Sequence, residues 1–204
     1  MGTTYRMHSA VNQFISQAIY DGKLIAASHN DKQTIDVPED YKGVLDKEAG
    51  IITVPVQHEG NTQASDEEVD VIKVLAKQLI GRLLHDKNGT SRPLAWNDIL
   101  FVAPYNHQVN KLQEALGHQV KVGSVDKFQG QEAPVIILSM CASDASDSPR
   151  GMDFLFDKHR LNVAISRAQS MAVVVYSPAI LNTSINSVRQ MEQMNVFCKL
   201  EQVL

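Results

Sequence analysis

The chain has 204 residues, of which 44% are hydrophobic and 21% charged. This length and mixture fit one soluble globular domain and exclude wholesale disorder, a collagen-like fibre and a coiled-coil rod. The formal charge of -4 excludes a uniformly basic nucleic-acid binder, but it is unevenly spread. Residues 1–70 carry 12 acids and 5 bases, a net of -7, and residues 71–204 carry 11 acids and 14 bases, a net of +3. A site for polyanions is therefore expected in the second part.

Two cysteines, Cys141 and Cys198, build neither a disulfide framework nor a zinc site. Cys141 follows an apolar run and reads as a buried, inert thiol. No window approaches 18 consecutive apolar residues, and the N-terminus lacks a signal pattern. The expected location is cytoplasmic, or nuclear in a eukaryote, with no membrane partner. Met1-Gly2 reads as a cloning remnant. The first motif arrives at Tyr5, which suggests a piece of a longer protein.

Residues 9–20 have helical periodicity, with Val11, Phe14, Ile15, Ala18 and Ile19 on one stripe and Ser9 as the cap. Residues 28–50 read as loop. Ile51 to Val56 is a β-branched strand, with Pro55 pointing to an edge position. Ser65 opens a helix predicted to run to Leu84. Ser65 and Glu68 have capping-box spacing, and Ile72, Leu75, Ala76, Leu79 and Leu83 are the predicted buried face. A turn-rich link leads to a strand over 98–103 and a helix over 106–116, stopped by Gly117. Strands follow at 121–125 and 135–140. Residues 160–169 are predicted helical, residues 171–176 form a last apolar strand, and Pro178 opens a terminal helical region. Uninterrupted apolar strands separated by helices predict an α/β fold, with a mostly parallel sheet covered on both faces.

Polar groups concentrate in four places: Tyr5-Arg6-Met7-His8, residues 103–108, residues 125–132 and residues 160–169. In the last of these, Arg160 and Arg167 are seven apart. On one helix they would stand about two turns and roughly 10 Å apart on the same flank. Guanidinium groups held there suit an anion such as phosphate, and ordinary surface ion pairing is the alternative.

TYRMH at 4–8, APYNHQV at 103–109, SVDKFQGQEAPVIILSM at 124–140 and RLNVAISRAQ at 160–169 occur in this order. Together they closely resemble the second, C-terminal RecA-like domain of superfamily 1 helicases, in the branch of the nonsense-mediated-decay helicase. The resemblance spans nearly the whole chain. It implies a RecA-like, P-loop NTPase-type domain of the AAA class over 1–204, with residues 1–4 as linker or remnant. It implies Arg167 as an arginine finger on the γ-phosphate, Arg6 as a second γ-phosphate contact and Tyr5 as an adenine stack. Glu132 would bond the ribose or couple the two sites, and Gln129 and Gly130 would form the motif's tight loop. Pro104, Tyr105, Asn106, Ser124, Val125, Asp126 and Lys127 would border a single strand of DNA or RNA. The sequence departs from the family at Ser9, where proline is common, at Ala133-Pro134 and at Ser166, where threonine is common. His8 and His107 have no metal-ligand partners at useful spacing.

No GxxxxGK[ST] occurs in the chain, and no DExx acid pair follows an apolar strand. The domain thus lacks its own P-loop, and the resemblance implies that ATP and Mg2+ are held mainly by an N-terminal RecA-like domain of the same protein. The expectation is the C-terminal half of an ATP-dependent helicase or translocase, inactive alone as an NTP hydrolase. The alternative is a non-catalytic module derived from a helicase that binds nucleic acid or protein. An unrelated Rossmann-like enzyme is disfavoured because no GxGxxG follows a strand.

Overall fold

The computed structural model describes residues 2–128, 130–145 and 148–201. At its centre is a five-stranded sheet of β3 (Gly50–Pro55), β6 (Ile99–Val102), β7 (Lys121–Gly123), β8 (Ala133–Ser139) and β9 (Ala168–Tyr176). Its order is β3-β9-β8-β6-β7, and every pairing is parallel. Alternate residues of these strands feed two cores. Leu100, Val102, Ile136, Leu138, Ala172 and Val174 face one side. Ile99, Phe101, Val135, Ile137, Val173 and Val175 face the other. Both faces are covered, so the strands read as continuous apolar runs rather than alternating ones.

α1 (Ser9–Ile19) and α5 (Lys158–Ile165) cover the first face, joined by α4 (Met152–Leu155) and α6 (Val188–Glu201). α2 (Asp66–Leu79) and α3 (Asn106–Leu116) cover the second. The α/β class and the helices on both faces are as expected. Pro55 does end an edge strand.

Several local expectations need correction. Residues 2–4, expected as linker, form β1 and pair with β2 (Leu24–Ala26). The helix expected to reach Leu84 stops at Leu79, because Gly81 takes a positive φ of 87°. Leu83 then lies in β4 (Leu83–His85), which pairs antiparallel with β5 (Ser91–Pro93), and is 38% exposed rather than buried. The Ser65–Glu68 box is only half made. Ser65 Oγ accepts from the Glu68 amide at 3.0 Å, but the Glu68 carboxylate turns inward. There it accepts from Ser139 Oγ at 2.5 Å and the Cys141 amide at 3.0 Å, and meets His58 Nε2 at 3.0 Å. Cys141 itself has a φ of 53°, and its N–H donates to that carboxylate. Its thiol is buried, and burial followed by the Glu68 charge pushes its pKa well up. The cap of α1 is His8, whose Nδ1 accepts from the Ala10 amide at 3.0 Å. Ser9 instead donates its amide to Asp31.

Both outer strands of the sheet carry a lysine on a backbone carbonyl. Lys47 Nζ lies 3.3 Å from the Ile51 oxygen in β3, and Lys127 Nζ lies 2.7 Å from the Val122 oxygen in β7. Among the described residues no helix is long and apolar enough to cross a membrane.

Candidate nucleotide and strand sites

The predicted site residues separate to the two ends of the parallel strands. Glu132 and Arg167 directly precede β8 and β9, at the amino edge of the sheet. Pro104, Tyr105 and Ser124 follow β6 and β7, at the carboxyl edge. The amino-edge cluster therefore lies opposite the place where open α/β sheets usually hold ligands.

The helix predicted over 160–169 is shorter and earlier. Asp157 caps it, accepting from the Arg160 amide at 2.8 Å, and it ends at Ile165. Arg160 and Arg167 do not share one helical flank, because Arg167 lies beyond the helix end, in the link to β9. The break follows from Ala168, whose backbone joins the sheet opposite Ala133.

Arg167 is 5% exposed. Its Nη1 donates to the Gln131 carbonyl at 3.0 Å, while its Nε has no partner among the described residues. Burial, and secondly the charge of Arg6, lower its pKa from the ordinary arginine value. Arg6 is held from several sides. Its Nε donates to Glu132 Oε2 at 2.5 Å, and its Nη1 donates to the Ser166 carbonyl at 3.2 Å. Gln33 donates to the Arg6 carbonyl at 2.7 Å, and Gln169 donates to the other Glu132 oxygen at 3.0 Å. Tyr5 is 66% exposed and stacks on His29, with ring centroids 6.0 Å apart and an interplanar angle of 26°. An open cleft of about 450 Å³ passes Tyr5, Arg6, Met7, Tyr20, Glu132 and Ser166. Gly130 is exposed with a φ of 81°, a conformation costly for a side-chain-bearing residue. Gln129 lies outside the described residues.

The structure thus brings Tyr5, Arg6 and Glu132 to one cleft, with Arg167 buried beside Arg6 rather than in the cleft lining. These groups suit a nucleotide. A buried guanidinium with an unpartnered N–H beside a second one favours an anion, and an exposed aromatic face beside the cleft suits a base. Among the described residues no group of three or more His, Cys, Asp or Glu is placed to hold a metal ion.

At the carboxyl edge, Asn106 is exposed in the first turn of α3. Pro104 and Ser124 are half-buried. Asp126 is largely exposed and lies 3.5 Å from Arg160 Nη1. Lys127 is exposed, with its ammonium on the Val122 carbonyl. Tyr105 and Val125 are buried. The Tyr105 hydroxyl bonds Ser148 Oγ, its ring packs on Phe154 at 5.4 Å, and burial raises its pKa. These two residues form the floor of the edge rather than its surface.

Sequence reasoning missed the support around Arg6. Gln169 lies at the end of the quoted RLNVAISRAQ run, so its position was visible. Gln33 sits in a stretch read as loop, and nothing in its neighbours signalled a tertiary bond.

Residues 1–179 match the AAA domain family AAA_12. The chain belongs to this family. Among its curated relatives, the putative helicase mov-10-B.1 of Danio rerio is 30% identical over 88% of this chain and 19% of that protein. The DNA polymerase alpha-associated DNA helicase A of Schizosaccharomyces pombe is 32% identical over 84% of this chain and 26% of that protein. DNA-binding protein SMUBP-2 of Mesocricetus auratus is 27% identical over 87% of this chain and 18% of that protein. The chain therefore spans about a fifth to a quarter of these proteins. The AAA_12 match and these helicase relatives bear out the resemblance to superfamily 1 helicases read from the motifs.

Proposed function

We propose that this AAA_12 chain is the C-terminal RecA-like motor domain of an ATP-dependent DNA or RNA helicase or translocase. Its partners would be a single strand of nucleic acid and an N-terminal RecA-like domain of the same protein, acting in the cytoplasm or nucleus. The observation that carries the reading is Arg167, a buried guanidinium with an unpartnered Nε beside the second cation, Arg6.

Bound against this face, ATP would supply the phosphoanhydride bond whose hydrolysis drives movement. Arg167 would donate to the terminal phosphate and stabilise charge there in the transition state. Arg6, oriented by Glu132 and the Ser166 carbonyl, would give a second contact. Tyr5 would stack on the base. Gly130 would let the loop before Glu132 turn tightly. Mg2+ and the phosphate cradle would come mainly from the N-terminal domain, since the 204 residues contain no GxxxxGK[ST]. The chain alone is therefore expected to be inactive as a hydrolase. Pro104, Asn106, Ser124, Asp126 and Lys127 would border the strand, with Tyr105 and Val125 beneath them.

The test uses the full-length protein carrying this domain. Arg167→Ala is expected to lower strand-stimulated ATP turnover by at least about 10³-fold while sparing most nucleotide affinity. Turnover at the parent rate would overturn the assignment of Arg167. A parent protein that binds a single strand but never hydrolyses ATP would favour the non-catalytic binding module.

A further inference from the structure

We infer that Arg150, Phe154 and Arg160 form an additional phosphate-binding station for single-stranded nucleic acid at the carboxyl edge of the sheet. The inference deepens the strand-track reading above and rests on it. The guanidinium carbons of Arg150 and Arg160 lie 4.7 Å and 4.3 Å from the centroid of the one Phe154 ring. A ring that attracts two cations restricts their side chains and lowers the entropy lost when each meets an anion. Phe154 is fixed in turn by Tyr105, whose ring lies 5.4 Å away.

The station adjoins the expected track. Phe154 and Arg160 line one apolar notch together with Pro104 and Val125. Arg150 is exposed, and the Arg160 side chain is 34% exposed. Among the described residues, the acids Asp126, Asp153 and Asp157 stand nearby. Asp126 faces Arg160 at 3.5 Å but is 75% exposed and easily screened. Asp153 lies 3.9 Å from Arg189, and Asp157 caps α5. Next to this group, α3 starts at Asn106, and its N-cap residue Tyr105 makes no side-chain cap, so its first-turn amides also point towards the track. Two preset guanidiniums beside open helix amides suit successive phosphates of one strand. Phe154 additionally offers a π face if a base displaces either arginine.

The test is fluorescence anisotropy of the 204-residue chain with labelled oligo(dT) and oligo(U), titrated at several salt concentrations. The double variant Arg150→Gln/Arg160→Gln is expected to bind about tenfold more weakly. Its log–log salt slope should be lower by about 1.4, at about 0.7 per lost single-strand phosphate contact. Arg160→Lys should retain most of the slope, and Lys77→Gln, on the exposed side of α2, should change nothing. Arg150→Gln alone, at an exposed position, should show about half the slope change and guards against misfolding of the double variant. Parent-like affinity and slope in both Arg150→Gln and the Arg150→Gln/Arg160→Gln double variant would overturn this inference alone. Failure of the unmodified chain to bind either oligonucleotide would overturn the strand track, and this inference with it.

Discussion

The imidazole of His8 caps α1 through Nδ1, an atom that accepts a hydrogen bond only while it carries no proton. Burial lowers the pKa of His8 below 6.5, and this outweighs the opposing pull of the Asp31 charge and hydrogen bond. The unfolded chain therefore binds this proton more readily than the folded one. The stability contribution is present above pH 6.5 and is lost as pH falls through the lowered value. His8→Asn keeps an acceptor at the cap but does not titrate. Urea denaturation of both proteins on either side of this window should show a smaller acid loss in the variant. Equal losses would refute the role given to the cap. Asp98 titrates in a separate and lower window. Burial raises its pKa, but the Arg92 hydrogen bonds and the Ala95 amide outweigh that, leaving it below 3.8. The sequence made Ser9 the natural cap, because local propensity favours serine. It could not show that Asp31, 22 residues away, would take the Ser9 amide. The same limit applies to Arg167, whose residue type was legible but whose position beyond the helix end depends on pairing with β8.

Elements built from long apolar runs were legible because burial on both faces leaves a direct mark on composition. β3, β6, β8 and β9 all fall where the sequence placed strands, within a few residues. The three-residue strands β1, β2, β4 and β5 left no such mark. Each is held by a partner rather than by its own pattern. α2 is the intermediate case. Its start and its apolar face were readable, yet Glu68, expected to close a capping box with Ser65, is fully buried and points inward. Its carboxylate ties α2 to the end of β8 through Ser139 and Cys141, and to His58, whose Nδ1 bonds Ser143 Oγ at 2.7 Å. Removing one member of such a network leaves buried polar groups unpaired. Glu68→Ala should therefore cost about 3–5 kcal/mol of unfolding free energy, read by denaturant titration. A loss below about 1 kcal/mol would mean that water or neighbours replace the carboxylate at little cost.

On the scale of the whole molecule, the two candidate sites occupy opposite ends of one parallel sheet. α5 runs between them, with Arg160 in its first turn and Arg167 just past its last. Eight residues span about 12 Å, so the two guanidiniums are joined by a short rigid strut. The chain's uneven charge agrees only partly with this layout. The net positive second part holds the strand edge and Arg167, while Arg6 comes from the net negative first part.

The open flanks of the sheet have a consequence for handling the domain. An unprotected outer strand is a template on which another molecule can add a strand of its own. Here β7 is only three residues long and β3 ends in proline, and each has one carbonyl occupied by a lysine ammonium. A second chain docking on either flank would have to displace that ammonium and desolvate it. Replacing Lys47 and Lys127 together with valine should therefore increase light scattering and sedimenting oligomers at matched concentration. A double variant that stays as monodisperse as its parent would show that shortness and proline already suffice to keep the molecules apart.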